Sequence, residues 1–234
     1  MAAGVFASHL GQAEQFATLL SHAGVVRGLI GPREVPRLWE RHLVNCALLG
    51  GAIAEDVDVC DIGSGAGLPG LVLALTRPDL SVTLVEPLLR RTRFLEEAVS
   101  ELGLGNVDVV RARAEELHGR RDFAVVTSRA VAPLDRLLGW SMPLVRQGGE
   151  LVAMKGSSIH EEIERATGTL RKLGAGGVRV ELLGAGVVDP PTTVVRVEAT
   201  GPSALGWADA RGLRGGTARS RPTRPDTRSH RSER

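Results

Sequence analysis

The sequence predicts an α/β protein with a mainly parallel sheet, helices on both faces and an antiparallel hairpin at the carboxyl end. From residue 57 onward, short apolar runs alternate with helical patterns, and parallel strands need such crossovers to lie in one sheet. The runs are almost wholly apolar, which is typical of strands buried on both faces. The last two runs follow each other without an intervening helix, and this order predicts the hairpin.

An N-terminal helical cap is predicted ahead of the first strand, over residues 1–55. Apolar residues recur at spacings of three and four over residues 8–23, which describes one face of a helix. A second helix is predicted over residues 33–54, since Pro32 suits the first turn of a helix and Gly50-Gly51 interrupts the pattern.

The remaining elements are predicted over residues 56–200, which we take as the domain that carries the chemistry. In chain order they are strand 57–61, helix 68–76, strand 81–86, helix 88–102, strand 107–110, short helix 114–118, strand 123–127, helix 133–145, strand 149–154, helix 158–173 and strands 178–183 and 193–199. Beyond these elements the hydrophobic pattern disappears, and Gly, Pro, Ser, Thr and Arg predominate. Residues 201–234 are therefore predicted to form a basic, disordered tail.

Composition excludes several classes of protein. The chain has 234 residues, 43% of them hydrophobic, and is long enough to bury one sizeable core. Its two cysteines, Cys46 and Cys60, lack the spacing of a disulfide framework or a zinc site, so both are expected in the core. No apolar run is long enough to cross a bilayer and no signal peptide is visible, so a cytoplasmic protein without a metal or a membrane contact is expected.

The strongest functional signal is the stretch VDVCDIGSGAGLPG, residues 57–70. Glycines at this spacing after a strand let the chain turn sharply and let a ligand approach the backbone. The stretch also fits the dinucleotide pattern G-x-G-x-x-G, which places a pyrophosphate over the turn. However, Asp61 precedes the first of these glycines, and we expect its carboxylate to repel a pyrophosphate and to favour the cationic groups of S-adenosylmethionine (SAM). Asp61 could instead simply cap the turn that follows.

Glu86 is the second candidate, because it closes the predicted strand 81–86 and lies 23 residues after Gly63. A carboxylate at the carboxyl end of this strand can accept hydrogen bonds from both ribose hydroxyls of an adenosine ligand. Dehydrogenases use the same arrangement, so Glu86 indicates an adenosine-type ligand without choosing among cofactors. The alternative role is an ion pair with Arg90 or Arg91 on the next helix.

Two further segments follow predicted strands at the same edge of the sheet. Ala114-Glu115 comes after the third strand, near the place of an adenine ring, and Arg129 lies at the close of the fourth strand, within the segment Ser128-Arg129-Ala130. Each has a simpler interpretation when taken alone. Glu115 could be an ordinary acidic residue in the first turn of a helix, and Arg129 could be a surface residue.

Several ordered segments of the chain match one known family. They are WERHLVNC (39–46), DIGSGAGLPGLVLAL (61–75), VEPLLRRTRFLEEA (85–98), RARAEEL (111–117), TSRAVAPLDRLLGW (127–140) and MKG (154–156). On these segments the chain resembles the bacterial small-subunit ribosomal RNA guanine-N7 methyltransferases, also called glucose-inhibited division protein B. The Leu-Pro-Gly ending of the glycine turn and the Ser-Arg-Ala segment are more specific than a generic SAM motif. The resemblance spans about residues 8–199, and the arginine-rich tail lies outside it.

The resemblance implies a Rossmann-like, class I SAM-dependent methyltransferase fold with SAM as the cofactor. The candidate SAM-binding residues, from the resemblance and from the glycine turn together, are Asp61, Gly63, Gly65, Leu68, Glu86, Ala114, Glu115 and Arg129. Glu86 is the implied ribose acceptor. The implied methyl acceptor is a guanine in the decoding-region loop of 16S ribosomal RNA, so the expected partner is that RNA or the 30S subunit. A monomeric enzyme is expected.

The implied chemistry needs no general base, because guanine N7 carries a lone pair and no proton, so the enzyme has only to align the reactants. No catalytic residue is therefore predicted, and Arg129 and Lys155 are candidates for positioning the substrate. The basic residues expected near the crevice, where they would meet RNA phosphates, are Arg90, Arg91, Arg93, Arg129 and Lys155. His42 is expected to be structural.

Three alternative functions remain open at this point. Only the resemblance and the lack of a large inserted lid argue against methylation of a small molecule. The intact glycine turn, Glu86 and Arg129 argue against a SAM-binding module without catalysis. Titration of NAD against SAM would decide whether the chain is a dehydrogenase.

Overall fold

The computed structural model describes residues 2–201, in which seven strands form one sheet of order β3-β2-β1-β4-β5-β7-β6. The strands are β1 Asp58–Ile62, β2 Ser81–Val85, β3 Val107–Val110, β4 Phe123–Arg129, β5 Val145–Met154, β6 Ala175–Leu183 and β7 Thr192–Ala199. The first five are parallel, whereas β7 pairs antiparallel with both β5 and β6. The predicted parallel sheet with a closing hairpin is therefore confirmed. The predicted tail, apart from its first residue, lies outside the described residues.

Helices cover both faces of the sheet, and several of them are extended by single 3₁₀ or π turns. The α-helices are α1 Ala2–Phe6, α2 Leu10–Leu19, α3 Asn45–Leu49, α4 Gly70–Thr76, α5 Leu89–Leu102, α6 Leu134–Ser141 and α7 Ile159–Lys172. The 3₁₀ turns are Ala7–His9, Pro32–Arg37, Gly50–Ala52, Ala114–Leu117 and Met142–Leu144, and the π turns are Leu20–Gly24 and Leu38–Val44.

The core consists of two hydrophobic clusters, one on each face of the sheet. The first contains buried side chains from the N-terminal helices together with those of α4 and α5, among them Phe16, Leu43 and Phe94. The second lies between the sheet and helices α6 and α7, and contains Leu138 and Ile159. Because the helices of residues 2–52 share the first cluster with the sheet, they pack as part of its core.

Two predicted helices were wrong in their extent. The helix expected over 33–54 is a succession of 3₁₀, π and α turns, and Pro36 lies inside the first of these. The helix expected over 133–145 ends at Ser141, and Pro143 lies in the 3₁₀ turn that follows. A proline has no amide hydrogen with which to continue an α-helix, which accounts for both interruptions.

Arg77 fastens the end of the N-terminal helices to the loop between α4 and β2. Its guanidinium donates hydrogen bonds to the carbonyl oxygens of Gly50 at 2.5 Å, Ile53 at 3.0 Å and Ala54 at 3.1 Å. The same guanidinium forms an ion pair with Asp79 at 2.6 Å. The hydrogen bonds from Arg77 lower the pKa of the Asp79 carboxyl to about 2. Three carbonyl groups left over at a helix end thus find donors.

Candidate active site

The parallel register brings the predicted segments to one edge of the sheet. Ile62 at the end of β1 pairs with Val85 at the end of β2, which in turn pairs with Val110 at the end of β3. On the other side, Asp61 of β1 pairs with Thr127 near the end of β4. The glycine turn, Glu86, Ala114-Glu115 and Arg129 therefore all follow strands that end side by side, where open α/β sheets bind ligands.

The glycine turn needs its glycines for two different reasons. Gly63, Gly65 and Gly67 have φ angles of +67°, +55° and +84°, in the left-handed region that other residues rarely adopt. Gly70, the first residue of α4, is required for space, because a Cβ atom there would lie 2.3 Å from Leu84 Cδ2. Leu68 is buried between them. The turn thus combines special backbone angles with close packing of α4 against the sheet.

Asp61 does not lie open at the mouth of the turn as expected. Its side chain is fully buried, and Oδ2 accepts a hydrogen bond from the amide of Gly70 at 3.0 Å. The capping role that the sequence left open is therefore the one that the structure shows. Burial raises the pKa of the Asp61 carboxyl to about 7, so it carries only part of a charge near neutral pH. The expected repulsion of a pyrophosphate by this carboxylate is correspondingly weak.

Asp61 also leaves one acceptor unused. Its Oδ1 atom is buried and has no hydrogen-bond partner among the residues that the structure describes. A buried oxygen of this kind stabilises a donor that reaches it, and a cationic donor would also favour ionisation of the carboxyl. Contact between Asp61 and SAM remains a prediction.

The raised pKa of Asp61 predicts how stability depends on pH. Between the ordinary value near 3.8 and the folded value of about 7, the folded chain keeps a proton that the unfolded chain has released. The free energy of unfolding should therefore fall as pH rises through this window, by at most about 4 kcal/mol from this group. In Asp61→Asn this contribution is missing, so the variant should gain stability relative to the wild type between pH 4.5 and pH 7.5.

Urea unfolding of both proteins at the two pH values measures this difference. Thr127→Ser, a buried change on the neighbouring strand β4 that does not alter charge, serves as the control and should shift stability equally at both values. A difference between wild type and Asp61→Asn that does not change with pH would contradict the prediction.

Glu86 joins the glycine turn to the loop after β2. Its side chain is 1% exposed, and its oxygens accept hydrogen bonds from the amides of Gly65 at 3.1 Å and Leu88 at 3.0 Å. The guanidinium of Arg91 lies 3.5 Å away, so the alternative ion pair is also present. Gly65 and Arg91 both approach Oε2, whereas Oε1 accepts only from Leu88 and retains a lone pair for a further donor. A contact between Glu86 and ribose hydroxyls remains a prediction.

Ala114 and Glu115 open a short 3₁₀ turn after β3, Ala114–Leu117. Ala114 is half-buried against the second core cluster, and Glu115 is exposed. This position is compatible with either interpretation of Glu115, as a cofactor contact or as an acidic residue in a first helical turn. Ala114 and Glu115 lie at the predicted edge of the sheet, and their role in cofactor binding remains a prediction.

Arg129 is directed toward the N-terminal helices. Its guanidinium donates to the carbonyl oxygen of Arg41 at 3.2 Å, lies 3.7 Å from the sulfur of Cys46 and contacts His42 Nδ1. The Nε2 atom of His42 lies 3.0 Å from the carboxylate of Glu34. Burial and the nearby Arg129 charge lower the pKa of His42, so a neutral ring can accept from Arg129 and donate to Glu34. The expected free cation at the end of β4 is therefore engaged, and His42 has the structural position that was expected.

Lys155 is enclosed as well, which contradicts its expected contact with phosphates. Its side chain is 8% exposed, and Nζ lies 2.7 Å from Glu162 Oε2 and donates to the carbonyl oxygen of Ala132 at 2.8 Å. The same Glu162 oxygen accepts from the amide of Leu134 at 2.7 Å. The ion pair thus holds the loop between β4 and α6 on both sides of Pro133, next to the start of α6. Glu162 was not predicted as a functional residue, although it lies on α7, the helix that follows Lys155.

The other predicted basic residues keep their place at this edge. Arg90 and Arg93 are exposed in the first turns of α5, and Arg91 lies beside Glu86.

Both cysteines are buried, as predicted, and burial raises the pKa of the Cys46 thiol to about 11. Burial raises the pKa of Cys60 still further, so neither cysteine is a thiolate at neutral pH.

None of the helices within residues 2–201 combines the length and the apolar character that crossing a membrane requires. The same residues hold no cluster of three or more histidine, cysteine or acidic side chains placed to bind a metal.

Comparison with known proteins supplies a family. The chain matches the family described as rRNA small subunit methyltransferase G over residues 9–187. It is 62% identical over 204 residues to a protein of that name from Nocardioides, which covers 87% of this chain and 82% of the relative. A second protein of that name, from Streptomyces coelicolor, is 55% identical over 222 residues, which make up 94% of this chain and 93% of the relative.

Solved structures with low sequence identity share the fold. A SAM-dependent O-methyltransferase from Thermotoga maritima superposes with a TM-score of 0.52 at 14% identity, over 70% of this chain and 69% of that one. A predicted O-methyltransferase from Agrobacterium tumefaciens superposes with a TM-score of 0.51 at 21% identity, over 65% of this chain and 79% of that one. The predicted class I methyltransferase fold is thereby confirmed.

Proposed function

Because this chain belongs to the rRNA small subunit methyltransferase G family, we propose that it transfers a methyl group from SAM to N7 of a guanine in the decoding-region loop of 16S ribosomal RNA. The family predicted from the sequence motifs is confirmed, and with it the coarser activity, SAM-dependent methylation of small-subunit rRNA. The guanine, its N7 atom and the decoding region are the finer part of the proposal.

The observation that carries the proposal is the connection between Glu86 and the glycine turn. Glu86 holds the amide of Gly65 and keeps a lone pair on Oε1 for a further donor, such as a ribose hydroxyl of SAM. Asp61 Oδ1, buried and without a partner among the described residues, offers an acceptor at the same turn for the ammonium group. Asp61 on β1, Glu86 directly after β2 and the turn between β1 and α4 therefore fit this cofactor.

Bound SAM would supply a methyl group on a sulfonium, ready for displacement by a lone pair. Guanine N7 has that lone pair and no proton, so the protein has no proton to remove. The titratable groups agree with this, because Cys46 is a buried thiol and His42 is engaged by Arg129 and Glu34. What the chain has to do is hold the cofactor, hold the base and exclude other orientations.

An RNA-binding surface is proposed beside the cofactor turn. Arg90 and Arg93 at the start of α5 lie at the same edge of the sheet as Arg111 and Arg113 after β3, and all four are exposed. Exposed arginines at one edge favour phosphate contacts that weaken as salt increases. These residues take the role expected of Arg129 and Lys155, whose charged groups are engaged within the protein.

Residues 1–55 are proposed as a cap on the domain of residues 56–200.

Methyl transfer from labelled SAM tests the function directly. The full chain is incubated with 30S subunits and with deproteinised 16S rRNA, both taken from bacteria that lack this modification, and the labelled base is then identified. We expect N7-methylguanine in the decoding region. A different labelled base or atom would overturn the finer proposal, and label confined to small molecules would overturn methylation of rRNA.

A further inference from the structure

A cavity lies next to the glycine turn, beside the residues that are proposed to hold the cofactor. Its volume is about 550 Å³, and it is lined by Ala130, Val131, Ala132, Pro133, Leu134, Asp135, Glu162 and Arg165. Val131 connects it to the turn, because a Cβ atom on Gly63 would lie 3.0 Å from Val131 Cγ2. One wall of the cavity is therefore in contact with the residues that would hold the methyl donor.

The loop of residues 130–134, which forms this wall, is held in place by a largely buried ion pair. The Lys155–Glu162 ion pair binds the carbonyl oxygen of Ala132 and the amide of Leu134, and its two side chains are 8% and 14% exposed. Ala130, at the start of the loop, has a φ angle of +53°, which alanine adopts only where its surroundings require it. The loop between β4 and α6 is thus a preformed surface, as ligand sites usually are.

The chemistry of the lining suits one planar base. Small apolar side chains and backbone from residues 130–134 provide a surface for the faces of a ring, and the volume lies within the range of small-molecule sites. Three charged residues line the cavity, but Glu162 is already occupied by Lys155, Leu134 and Ser158. Asp135 and Arg165 are left at exposed positions on α6 and α7.

We propose that this cavity receives the acceptor guanine and that the Asp135 carboxylate selects it by accepting hydrogen bonds from N1–H and the N2 amino group. The proposal rests on the function proposed above, since N7 must face the methyl donor at the glycine turn. The Watson–Crick edge then points away from the turn, toward the remaining lining. Guanine offers two donors there, whereas adenine offers an unprotonated N1 and no amino group at C2.

Arg165 completes the same site from α7. A base that leaves its stack brings its own phosphate to the mouth of the pocket. The side chain of Arg165 is exposed at that mouth. Its Nε donates to the carbonyl oxygen of Glu161 at 3.2 Å, and its Nη2 makes only a long contact of 3.9 Å with the Glu161 carboxylate. Asp135 thus determines which base is accepted, and Arg165 strengthens the binding of any nucleotide.

The test compares Asp135→Asn with Glu164→Gln, a matched loss of one exposed carboxylate on α7 outside the cavity lining. With 16S rRNA as acceptor, kcat/KM of Asp135→Asn should fall by about tenfold or more, because the amide presents a donor to a donor. Its affinity for SAM, measured by calorimetry, should equal that of the wild type. Glu164→Gln should retain both quantities.

A second measurement isolates the base preference from any effect on folding. At saturating SAM, the nucleotides 5′-GMP and 5′-IMP compete with the RNA for the site, and they differ only in the N2 amino group. The wild type should be inhibited more strongly by GMP than by IMP, and Asp135→Asn should lose this preference. Arg165→Gln should weaken inhibition by both nucleotides equally and keep the preference.

The outcomes separate the two proposals. If the wild type methylates guanine N7 in 16S rRNA but Asp135→Asn has wild-type kcat/KM, the function stands and the role of Asp135 is overturned. A wild type that shows no preference for GMP over IMP also overturns it. A wild type that does not methylate 16S rRNA overturns the proposed function and, with it, the guanine pocket.

Discussion

The Glu86→Gln variant is expected to bind SAM about 100-fold more weakly than the wild type, a loss of roughly 3 kcal/mol. Both oxygens of Glu86 accept from backbone amides, those of Gly65 and Leu88. Glutamine replaces one oxygen with an NH₂ group, so one amide then faces a donor, and a ribose hydroxyl no longer meets a carboxylate oxygen. The charge is lost in a position that is 1% exposed, where hydrogen bonds to a carboxylate are strongest.

Calorimetric titration with SAM measures this loss of affinity. Glu96→Gln is the control, because it makes the same chemical change at an exposed position on α5 and should bind SAM like the wild type. Thermal unfolding of Glu86→Gln without ligand shows whether the fold survives, and a decrease of about 1–3 kcal/mol is expected from the amide left without an acceptor. Equal SAM affinity in both variants would remove Glu86 from the cofactor site.

The Gly70→Ala variant should lose about 3 kcal/mol of stability, toward the upper end of what overpacking usually causes. The added methyl group would lie 2.3 Å from Leu84 Cδ2 and 2.7 Å from Asp61 Oδ2, and all of these atoms are enclosed. Relief requires α4 to move away from the sheet. That movement lengthens the hydrogen bond from the Gly70 amide to Asp61, so weaker SAM binding is expected as well.

Gly168→Ala is the matched control for this substitution. Gly168 lies within α7, and a Cβ atom there would have no neighbour within 4 Å. Alanine is the better helix former, so this variant should gain up to about 1 kcal/mol. Urea unfolding of the two variants and the wild type gives both values. Equal effects of the two substitutions would show that packing at Gly70 is not what the chain needs there.

The sheet was predictable because each of its strands corresponds to a local run of apolar residues in the sequence. Apolar runs separated by helical spacing predicted the elements from residue 57 onward, and the strand Val107–Val110 has the predicted bounds. The N-terminal helices were less predictable, because their course depends on packing against α4 and α5. Pro36 and Pro143 are visible in the sequence, but a proline in the first turn of a helix and one that ends a helix carry the same local signal.

The edge of the sheet at which the candidate residues lie was predictable from the sequence. The orientation of their charged side chains was less predictable. Position relative to the strand ends was sufficient to bring Asp61, Glu86 and Arg129 to one edge. Whether a carboxylate or a guanidinium faces solvent depends on neighbours distant in sequence, such as Gly70 for Asp61 and Arg41 for Arg129. Lys155 pairs with Glu162 because the end of β5 lies beside α7. The periodicity of the sequence does not predict which side chains meet there.

The contacts of Arg129 have a consequence for the order in which the chain can acquire its structure. Its partners, Arg41, His42 and Cys46, are synthesised long before the strand that carries it. Those early residues contribute large apolar side chains, Leu43 and Leu49 among them, to a core whose other members lie mainly in α4 and α5, which are made before that strand. A nascent chain halted before the fourth strand therefore already contains most of the apolar partners of its N-terminal helices, but it lacks the guanidinium that joins Arg41 and His42 to the sheet.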